Sequence, residues 1–440
     1  MGSKVCKFGG TSLADADQIL KVKAIIEADT GRRYVVPSAP GKRSDSDTKI
    51  TDLFYLCHEH TKQGIAFDDV FKLIAERYQQ IVDDLGLTDT LDMQPRLEQV
   101  KQAITDGETK EYAASRGEYL NGPIIAAALG YEFIDAAEII HFDKQGKLDN
   151  TKTHDAVSSR LAQVERAVIP GFYGSDPDGN VRTFSRGGSD ITGAIVAAGA
   201  GADVYENWTD VSGLLMADPR IIKNPKPIDA VTYRELRELA YMGASVLHDE
   251  AIFPVRQAGI PVNIRNTNQP DDQGTMIVPD DQPIAHKGSI TGIAGRKNFT
   301  VITIYKALMN SEVGFGRKIL TALESHGISF EHTPTGIDTM GVVIEDEQLN
   351  GKRDELVELI KAECKPDTID VTPGMALIAT VGKGMAHTPG TAANLFAALA
   401  QANVNIRMID QGSSEINIIV GIESTDFETA MHAIYNQFVN

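Results

Sequence analysis

A lysine followed closely by two glycines could neutralise and enclose a phosphate group. Lys7 ends a short apolar run, and Gly9 and Gly10 separate that run from a helical pattern over residues 16–27. Glycines let a backbone approach a ligand closely, and free N–H groups at a helix N-terminus attract phosphate oxygens. Because the lysine precedes the glycines, this is not a Walker A loop. The alternative is an ordinary strand, turn and helix with a surface lysine.

A second glycine pair precedes another helical pattern and carries side chains of both charges. It comprises Arg186, Gly187, Gly188, Ser189 and Asp190. An arginine fork suits a carboxylate or a phosphate, while the aspartate could attract Mg²⁺ to nearby phosphates or orient Lys7. The alternative is a capped helix start with a surface arginine.

Polar residues also follow the buried run that ends near residue 207. Thr209 and Asp210 stand at its end, and Asp218-Pro-Arg220 follows a glycine turn. A hydroxyl and a carboxylate at a strand end suit the ribose or base of a nucleotide, and Arg220 would add a second cation. The alternative is two consecutive turns.

A single carboxylate lies near the start of an otherwise apolar helical pattern. Glu118 follows Ser115-Arg-Gly and precedes Leu120 and Ile124. Such a carboxylate could hold the ammonium group of a substrate. Taken alone, the pattern favours a simpler interpretation, a glutamate stabilised by the positive end of a helix dipole.

The elements between these motifs alternate over the first two-thirds of the chain. Short β-branched runs at residues 4–8, 34–37, 168–172, 203–207 and 262–265 are separated by helical patterns. This alternation predicts an α/β fold with a mostly parallel sheet covered by helices on both faces. Ligands of such sheets bind beyond the carboxyl ends of the strands, where loops enter helices.

The last third of the chain contains an internal repeat. After a segment rich in Pro, Asp and Gln at 268–286, two copies align without a gap at an offset of 76 residues, with Gly314 matching Gly390. Each copy has the order strand, glycine turn, helix, strand, strand, helix, which is typical of a ferredoxin-like βαββαβ unit. The first copy has room for a last strand at 368–371, but the second ends with its helix. Shared strands between the copies would supply the missing element.

The composition excludes several classes of protein. With 42 Lys and Arg against 61 Asp and Glu, the 440-residue chain has a net charge of −19, which argues against general nucleic-acid binding. Three cysteines without a CxxC or Cys/His cluster indicate neither a disulfide scaffold nor a structural zinc site. Without a signal pattern or an apolar stretch long enough for a bilayer, we expect a cytoplasmic protein with no membrane partner.

The four motifs and the repeat together resemble the aspartate kinases of the amino-acid-kinase family. Lys7-Phe-Gly-Gly-Thr-Ser, Arg186-Gly-Gly-Ser-Asp and Trp208-Thr-Asp-Val carry the resemblance, and the repeat is similar to paired ACT domains. The resemblance implies a three-layer αβα kinase domain over residues 1–285. It also implies ACT domains over 295–372 and 373–440, with strands exchanged between them. The implied reaction phosphorylates the β-carboxylate of L-aspartate with ATP and Mg²⁺, as the first step towards lysine, threonine and methionine.

The resemblance also implies roles for individual residues. The catalytic pair would be Lys7 and Asp190. The aspartate site would comprise Ser38, Ala39, Thr51, Glu118, Arg186, Gly187, Gly188 and Ser189. The nucleotide site would comprise Lys7, Gly9, Gly10, Thr209, Asp210 and Arg220. Two positions depart from the family pattern: Leu215 stands where many members have tyrosine, and Ser245 where the family has lysine.

The chemistry of this reaction fits the residues. A substrate carboxylate is already ionised at neutral pH, so no general base is needed. Positioning and charge neutralisation around ATP suffice. Two alternatives remain, a kinase for another amino acid and a non-catalytic amino-acid sensor built on ACT modules. ADP release with a panel of amino acids would separate them.

The repeat also suggests an effector. Glu331 begins a strand in the first copy, and the matching position in the second copy is Arg407. A carboxylate suits a cationic side chain, so we expect L-lysine to bind near Phe315, Glu331 and Thr335. The alternative is an exposed strand residue. Because strand edges must be covered, we expect the repeats to pair two chains in a homodimer.

Overall fold

The computed structural model describes residues 2–185, 187–244, 249–284 and 288–439. The chain forms two compact units. The N-terminal unit comprises residues 1–214, 227–233 and 246–284, and the C-terminal unit comprises 215–226, 234–245 and 285–440. The division is therefore less simple than a single boundary at residue 285.

Helices and strands alternate through the first part of the chain. The strands are β1 (Lys4–Phe8), β2 (Arg32–Pro37), β3 (Glu132–Phe133), β4 (Ala167–Val168), β5 (Tyr173–Ser175), β6 (Val181–Thr183), β7 (Val204–Thr209), β8 (Ala230–Thr232), β9 (Val262–Asn266), β10 (Thr275–Val278), β11 (Gly292–Tyr305), β12 (Thr339–Glu345), β13 (Thr368–Val381), β14 (Met408–Asp410) and β15 (Asn417–Glu423). The helices are α1 (Ala16–Glu27), α2 (Ile50–Lys62), α3 (Asp68–Asp84), α4 (Gln94–Thr105), α5 (Lys110–Leu129), α6 (Ala136–Ile139), α7 (Asn150–Leu161), α8 (Gly188–Gly199), α9 (Tyr233–Tyr241), α10 (Phe253–Gln257), α11 (Phe315–Ser325), α12 (Asp346–Leu349), α13 (Arg353–Cys364), α14 (Thr391–Gln401) and α15 (Phe427–Val439).

A mostly parallel sheet forms the centre of the N-terminal unit, which confirms the predicted fold class. Within the described residues its order is β3-β4-β2-β1-β7-β9-β10-β8. The six neighbouring strands β3, β4, β2, β1, β7 and β9 run parallel to one another. Strand β10 is antiparallel to β9. Strands buried on both faces have nearly continuous apolar sequences, as in β1 and β2.

The alternation of side chains along β1 sends its residues to two different layers. Cys6 and Phe8 join the apolar cluster formed with helices α1 to α5. Because successive side chains of a strand point to opposite faces, Lys7 faces the other way, where it meets α8. The sheet therefore presents Lys7 on the face opposite its largest apolar cluster.

A buried ionic network holds the middle of this sheet together. Glu206 of β7 accepts hydrogen bonds from Arg32 Nε at 2.8 Å and from Trp208 Nε1 at 2.9 Å. Burial acts to raise the pKa of Glu206, but the Arg32 guanidinium prevails and holds it below the ordinary value. Breaking such a buried pair by removing one partner is strongly destabilising.

The C-terminal unit contains an antiparallel sheet, with the order β12-β11-β13-β15-β14 among the described residues. Residues 299–305 of β11 pair with β12. Residues 292–297 of β11 pair with residues 376–381 of β13. This second half of β13 also pairs with β15, on its other side. Residues 292–297 therefore occupy the place where the second repeat has no last strand of its own.

Each repeat covers its part of this sheet with two amphipathic helices. Helices α11 and α13 bury Ile319, Leu323 and Ile360 in one cluster, while α14 and α15 bury Leu395 and Ile434 in another. Since both long strands contribute to both halves, the boundaries expected at 295–372 and 373–440 stay predictions. In the part of the chain that the structure describes, no helix has the length and apolar character needed to cross a membrane.

Candidate active site

The two residues expected to be catalytic form an ion pair. Lys7, near the end of β1, is 8% exposed, and its Nζ lies 2.6 Å from Oδ1 of Asp190. Asp190 belongs to the first turn of α8. A buried ammonium group close to a helix N-terminus makes a strongly positive site, in which phosphate oxygens would be favoured.

Asn207 is a site residue that the sequence motifs did not include. It lies on β7 directly opposite Lys7 in the parallel pairing of β1 and β7. Its Nδ2 donates to Asp190 Oδ1 at 2.8 Å, and the side chain is 3% exposed. The sequence does contain one signal for Asn207, a polar residue within an otherwise buried strand. Because buried polar groups normally have a hydrogen-bond partner, such a residue indicates a polar neighbour.

The first glycine pair forms a tight junction between two loops. The Gly9 N–H donates to the carbonyl oxygen of Trp208 at 3.0 Å. A Cβ on Gly10 would lie 2.9 Å from the carbonyl oxygen of Ala39, and the Gly41 N–H donates to the Gly10 carbonyl at 2.8 Å. Larger residues at Gly10 would push the loop after β2 away from Lys7.

The second glycine pair begins α8. Gly187 is the N-cap residue and has φ of 58°, a left-handed conformation that glycine adopts without strain. A Cβ on Gly188 would lie 2.4 Å from the ring of Phe172, so the helix start is packed closely against the loop after β4. Ser189 is buried in the next position. Arg186 lies outside the described residues.

The residues expected to bind aspartate gather around the start of α2 and the middle of α5. A Cβ on Gly117 would lie 2.7 Å from Cβ of Ala39 and 3.8 Å from Oγ1 of Thr51. The Nδ2 of Asn121, one turn after Glu118, donates to the carbonyl oxygen of Ser38 at 2.7 Å. Asn121 was not identified from the sequence, because its partner lies 83 residues away.

Glu118 has the electrostatic character of a site for a cation. It is 6% exposed, and its Oε2 is buried without a hydrogen-bond partner among the described residues. Burial raises the pKa of Glu118 to about 7, although the Ala39 backbone N–H and the Arg116 guanidinium act to lower it. An ammonium group in this pocket would satisfy both the unpaired oxygen and the ionised carboxylate.

The residues expected to bind the nucleotide are divided between the two units. Thr209 ends β7, and its hydroxyl donates to Asp210 at 3.2 Å. Arg220 instead belongs to segment 215–226 of the C-terminal unit, where its side chain is 84% exposed and pairs with Asp218 at 2.7 Å. Leu215 lies in the same segment, whereas Ser245 is outside the described residues.

The residues expected to bind the effector lie in the C-terminal unit. Glu331 donates its N–H to the Val343 carbonyl, and its Oε2 is buried without a hydrogen-bond partner in the described structure. The Thr335 hydroxyl is exposed and donates to the Thr333 carbonyl. The Phe315 ring is packed in the apolar cluster under the sheet. A contact from Phe315 to a ligand would therefore use its backbone rather than its ring.

The site does not contain a preformed metal cage in the part of the chain that is described. No group of three or more His, Cys, Asp or Glu side chains there is arranged to hold an ion.

The chain is similar to known proteins over nearly its whole length. Residues 3–266 match the model of the amino acid kinase family, and residues 378–438 match that of an ACT domain. The chain is 39% identical to aspartokinase 3 of Bacillus subtilis, over 99% of this chain and 98% of that protein. A solved aspartate kinase from Clostridium acetobutylicum is 58% identical, with a TM-score of 0.92 over 99% of both chains. Aspartokinase III of E. coli, solved in complex with aspartate and ADP, is 25% identical, with a TM-score of 0.73 over 99% of both chains.

Proposed function

This chain belongs to the amino acid kinase family, and within it to the aspartate kinases, and we propose from that premise how its residues perform the reaction. The enzyme transfers the γ-phosphoryl group of ATP to the β-carboxylate of L-aspartate, giving 4-phospho-L-aspartate and ADP. The observation that carries the assignment of residues is the buried Lys7–Asp190 pair at the carboxyl ends of β1 and β7, beside the start of α8.

Lys7 neutralises charge on the transferring phosphoryl group. Charge spreads over the phosphoryl oxygens in the transition state, and donors fixed in a poorly solvated site stabilise it without reorganising. The backbone N–H groups at Gly10 and at the start of α8 add partial positive charge there, whereas the Gly9 N–H already donates to the Trp208 carbonyl oxygen. No residue has to remove a proton, because the attacking carboxylate is already ionised at neutral pH.

The pocket around Glu118 orients the substrate. The Glu118 carboxylate holds the ammonium group of aspartate, with Ser38, Ala39 and Thr51 along its side. Arg186 and the N–H groups of Gly187, Gly188 and Ser189 hold its α-carboxylate. Thr209 and Asp210 contact the nucleotide.

Phosphoryl transfer from ATP depends on a divalent metal in kinases generally. We propose Mg²⁺ as this metal. The Asp190 carboxylate would help to hold it, and the ion would supply positive charge that neutralises the phosphates of ATP. Both substrates are solutes of the cytoplasm, where we propose that the enzyme works.

The substrate assignment is tested by ADP release from the purified chain with a panel of amino acids. We expect turnover with L-aspartate and at least about a hundred-fold lower kcat/KM with L-glutamate, since an added methylene displaces the reacting carboxylate. Equal turnover with glutamate would contradict the aspartate assignment. Binding of amino acids without any ADP release would indicate a sensor.

We propose that L-lysine is the regulatory ligand and binds the first repeat at Glu331. The support is Oε2 of Glu331, which is buried without a hydrogen-bond partner in the described structure. Glu331 lies in a bend before the isolated bridge between His332 and Val343. Its side chain is also hydrogen-bonded to Tyr241. Exposed apolar side chains nearby in the sequence, including Leu308, Ile337 and the 99% exposed Val313, support pairing of this unit with a second copy of the chain. Lysine would shift the enzyme towards a less active state by its differential affinity for the two states.

Glu331→Ala is expected to raise the lysine concentration for half-inhibition at least about ten-fold, because a charge-assisted hydrogen bond contributes about 1.5–3 kcal/mol. Inhibition curves with lysine and with threonine measure this. Glu324→Ala, which removes an exposed carboxylate from α11, is the matched control and should retain the inhibition of the unmodified enzyme. Equal lysine sensitivity in Glu331→Ala would contradict the site, and inhibition by threonine alone would contradict the ligand.

A further inference from the structure

Two donors share one oxygen of Asp190. Lys7 Nζ lies 2.6 Å and Asn207 Nδ2 lies 2.8 Å from the same atom, Oδ1. Lys7 and Asn207 occupy paired positions of adjacent parallel strands, so their side chains leave the sheet side by side. The carboxylate of α8 is therefore held from two neighbouring strands.

The Lys7 ammonium group has three N–H donors, so it can keep its contact with Asp190 while another N–H points to a phosphoryl oxygen. As negative charge develops on the phosphoryl oxygens, they compete with Asp190 for the charge of Lys7. A largely buried carboxylate whose cation is shared in this way is stabilised by a second donor. Asn207 is such a donor, it carries no charge, and its amide is also confined by the Tyr205 hydroxyl at 3.5 Å.

We propose that Asn207 is a positioning residue, which keeps the Asp190 carboxylate fixed and hydrogen-bonded while the charge of Lys7 is shared between Asp190 and the phosphoryl group. This inference rests on the proposed function. In the proposed role, Asn207 acts through Asp190 and contacts neither the substrate nor the nucleotide.

Tyr205 also contacts Asp190, but through a different atom, and can therefore be compared with Asn207. It lies two residues earlier on the same face of β7, and its hydroxyl donates to the backbone carbonyl oxygen of Asp190 at 3.1 Å. A Cβ on Gly193 would lie 2.5 Å from that hydroxyl, so Tyr205 also packs tightly against α8. Tyr205 therefore holds the helix, whereas Asn207 holds the carboxylate.

The test is steady-state kinetics of full-length variants. Asn207→Leu is expected to lower kcat about ten-fold while KM for aspartate stays within about two-fold. Asn207→Ser keeps a hydroxyl donor at this position, so it should lose less of kcat than Asn207→Leu. Tyr205→Phe should lower Tm without a comparable loss of kcat.

A double-mutant cycle separates this role from a merely structural one. If Asn207 acts through Asp190, Asn207→Leu should lower kcat by less than about three-fold in an Asp190→Asn background. Additive losses, or an unchanged kcat in Asn207→Leu, would overturn the inference. If Asn207→Leu does not fold, Asn207→Ala takes its place, and an unchanged kcat or additive losses in that variant overturn the inference instead. Absence of ADP release by the unmodified chain with aspartate would overturn the proposed function itself.

Discussion

Lys7→Ala is expected to lower kcat about a hundred- to a thousand-fold while KM for ATP changes by no more than about five-fold. The ammonium group is nearly buried and lies between β1 and the start of α8. A cation in such a site interacts weakly with a solvated ground state and strongly with charge that develops in the transition state. Its loss should therefore appear in kcat rather than in affinity. ADP release at saturating aspartate measures this.

Lys4→Ala is the matched control for Lys7→Ala, because Lys4 lies on the same strand. Its Nζ pairs with Asp29 at 2.8 Å and with Glu206 at 3.3 Å, away from Asp190. We expect this variant to lower Tm and to keep kcat within about two-fold. A kcat of Lys7→Ala within a few-fold of the unmodified enzyme would remove Lys7 from the phosphate site.

The pairing of Lys7 with the start of α8 was predictable because each residue carries a local signal. Lys7 precedes a glycine turn at the end of an apolar run, and Asp190 follows a glycine pair at a helix start. In a parallel sheet the carboxyl ends of neighbouring strands lie at one edge. Two local signals and one rule of topology were therefore enough to bring them together.

Residues that hold the loops of the site in place lack such a local signal, because their hydrogen-bond partners are distant in the sequence. Arg77 is buried on α3, where its guanidinium donates to the carbonyl oxygens of Ala14 at 2.6 Å and Gly41 at 2.9 Å and to Asp47 at 2.8 Å. It thereby fixes the loops that follow β1 and β2. The helical pattern of α3 identifies Arg77 as a residue on a helix but does not identify its partners.

The role expected for Arg220 in the nucleotide site stays a prediction. Arg220 stands ten residues after Asp210 in the sequence. The chain leaves the N-terminal unit after Leu214, and Arg220 pairs with Asp218 in the other unit. The periodicity of a segment predicts its helices and strands, but it does not predict the unit against which they pack.

The repeat predicted an incomplete last module but not the segment that completes it. The second copy ends at α15, and residues 292–297 pair with β13 at the open position. At the offset of 76 residues, 292–297 fall on 368–373, which include the strand that pairs with residues 301–305 of the first copy. Only Ile293 and Ile369 are identical among these six pairs of positions, so the similarity is too weak to identify the strand from the sequence.

Glu118→Gln is expected to weaken aspartate binding strongly. The ionised carboxylate would pair with the ammonium group, and a charge-assisted hydrogen bond contributes about 1.5–3 kcal/mol, so KM for aspartate should rise about ten- to a hundred-fold. KM for ATP should change little. In the unmodified enzyme, kcat/KM for aspartate should fall as the pH drops through about 7, because Glu118 then takes up a proton. Glutamine does not titrate, so this fall should disappear from the profile of the variant.

The same burial acts against folding when the pocket is empty. The pKa of Glu118 is raised from 4.5 to about 7, so folding at intermediate pH requires uptake of a proton, and above pH 7 the folded state holds a buried charge. The free energy of unfolding therefore decreases as the pH rises from 4.5, the pKa of Glu118 in the unfolded chain, to about 7, its pKa in the folded protein. Above that pH the loss of stability is constant, at no more than about 3 kcal/mol. Glu118→Gln avoids this loss, so its Tm should exceed that of the unmodified protein at about pH 8 and approach it at about pH 5. A variant that loses both aspartate affinity and thermal stability at the higher pH would show that Glu118 supports the fold rather than holding the substrate.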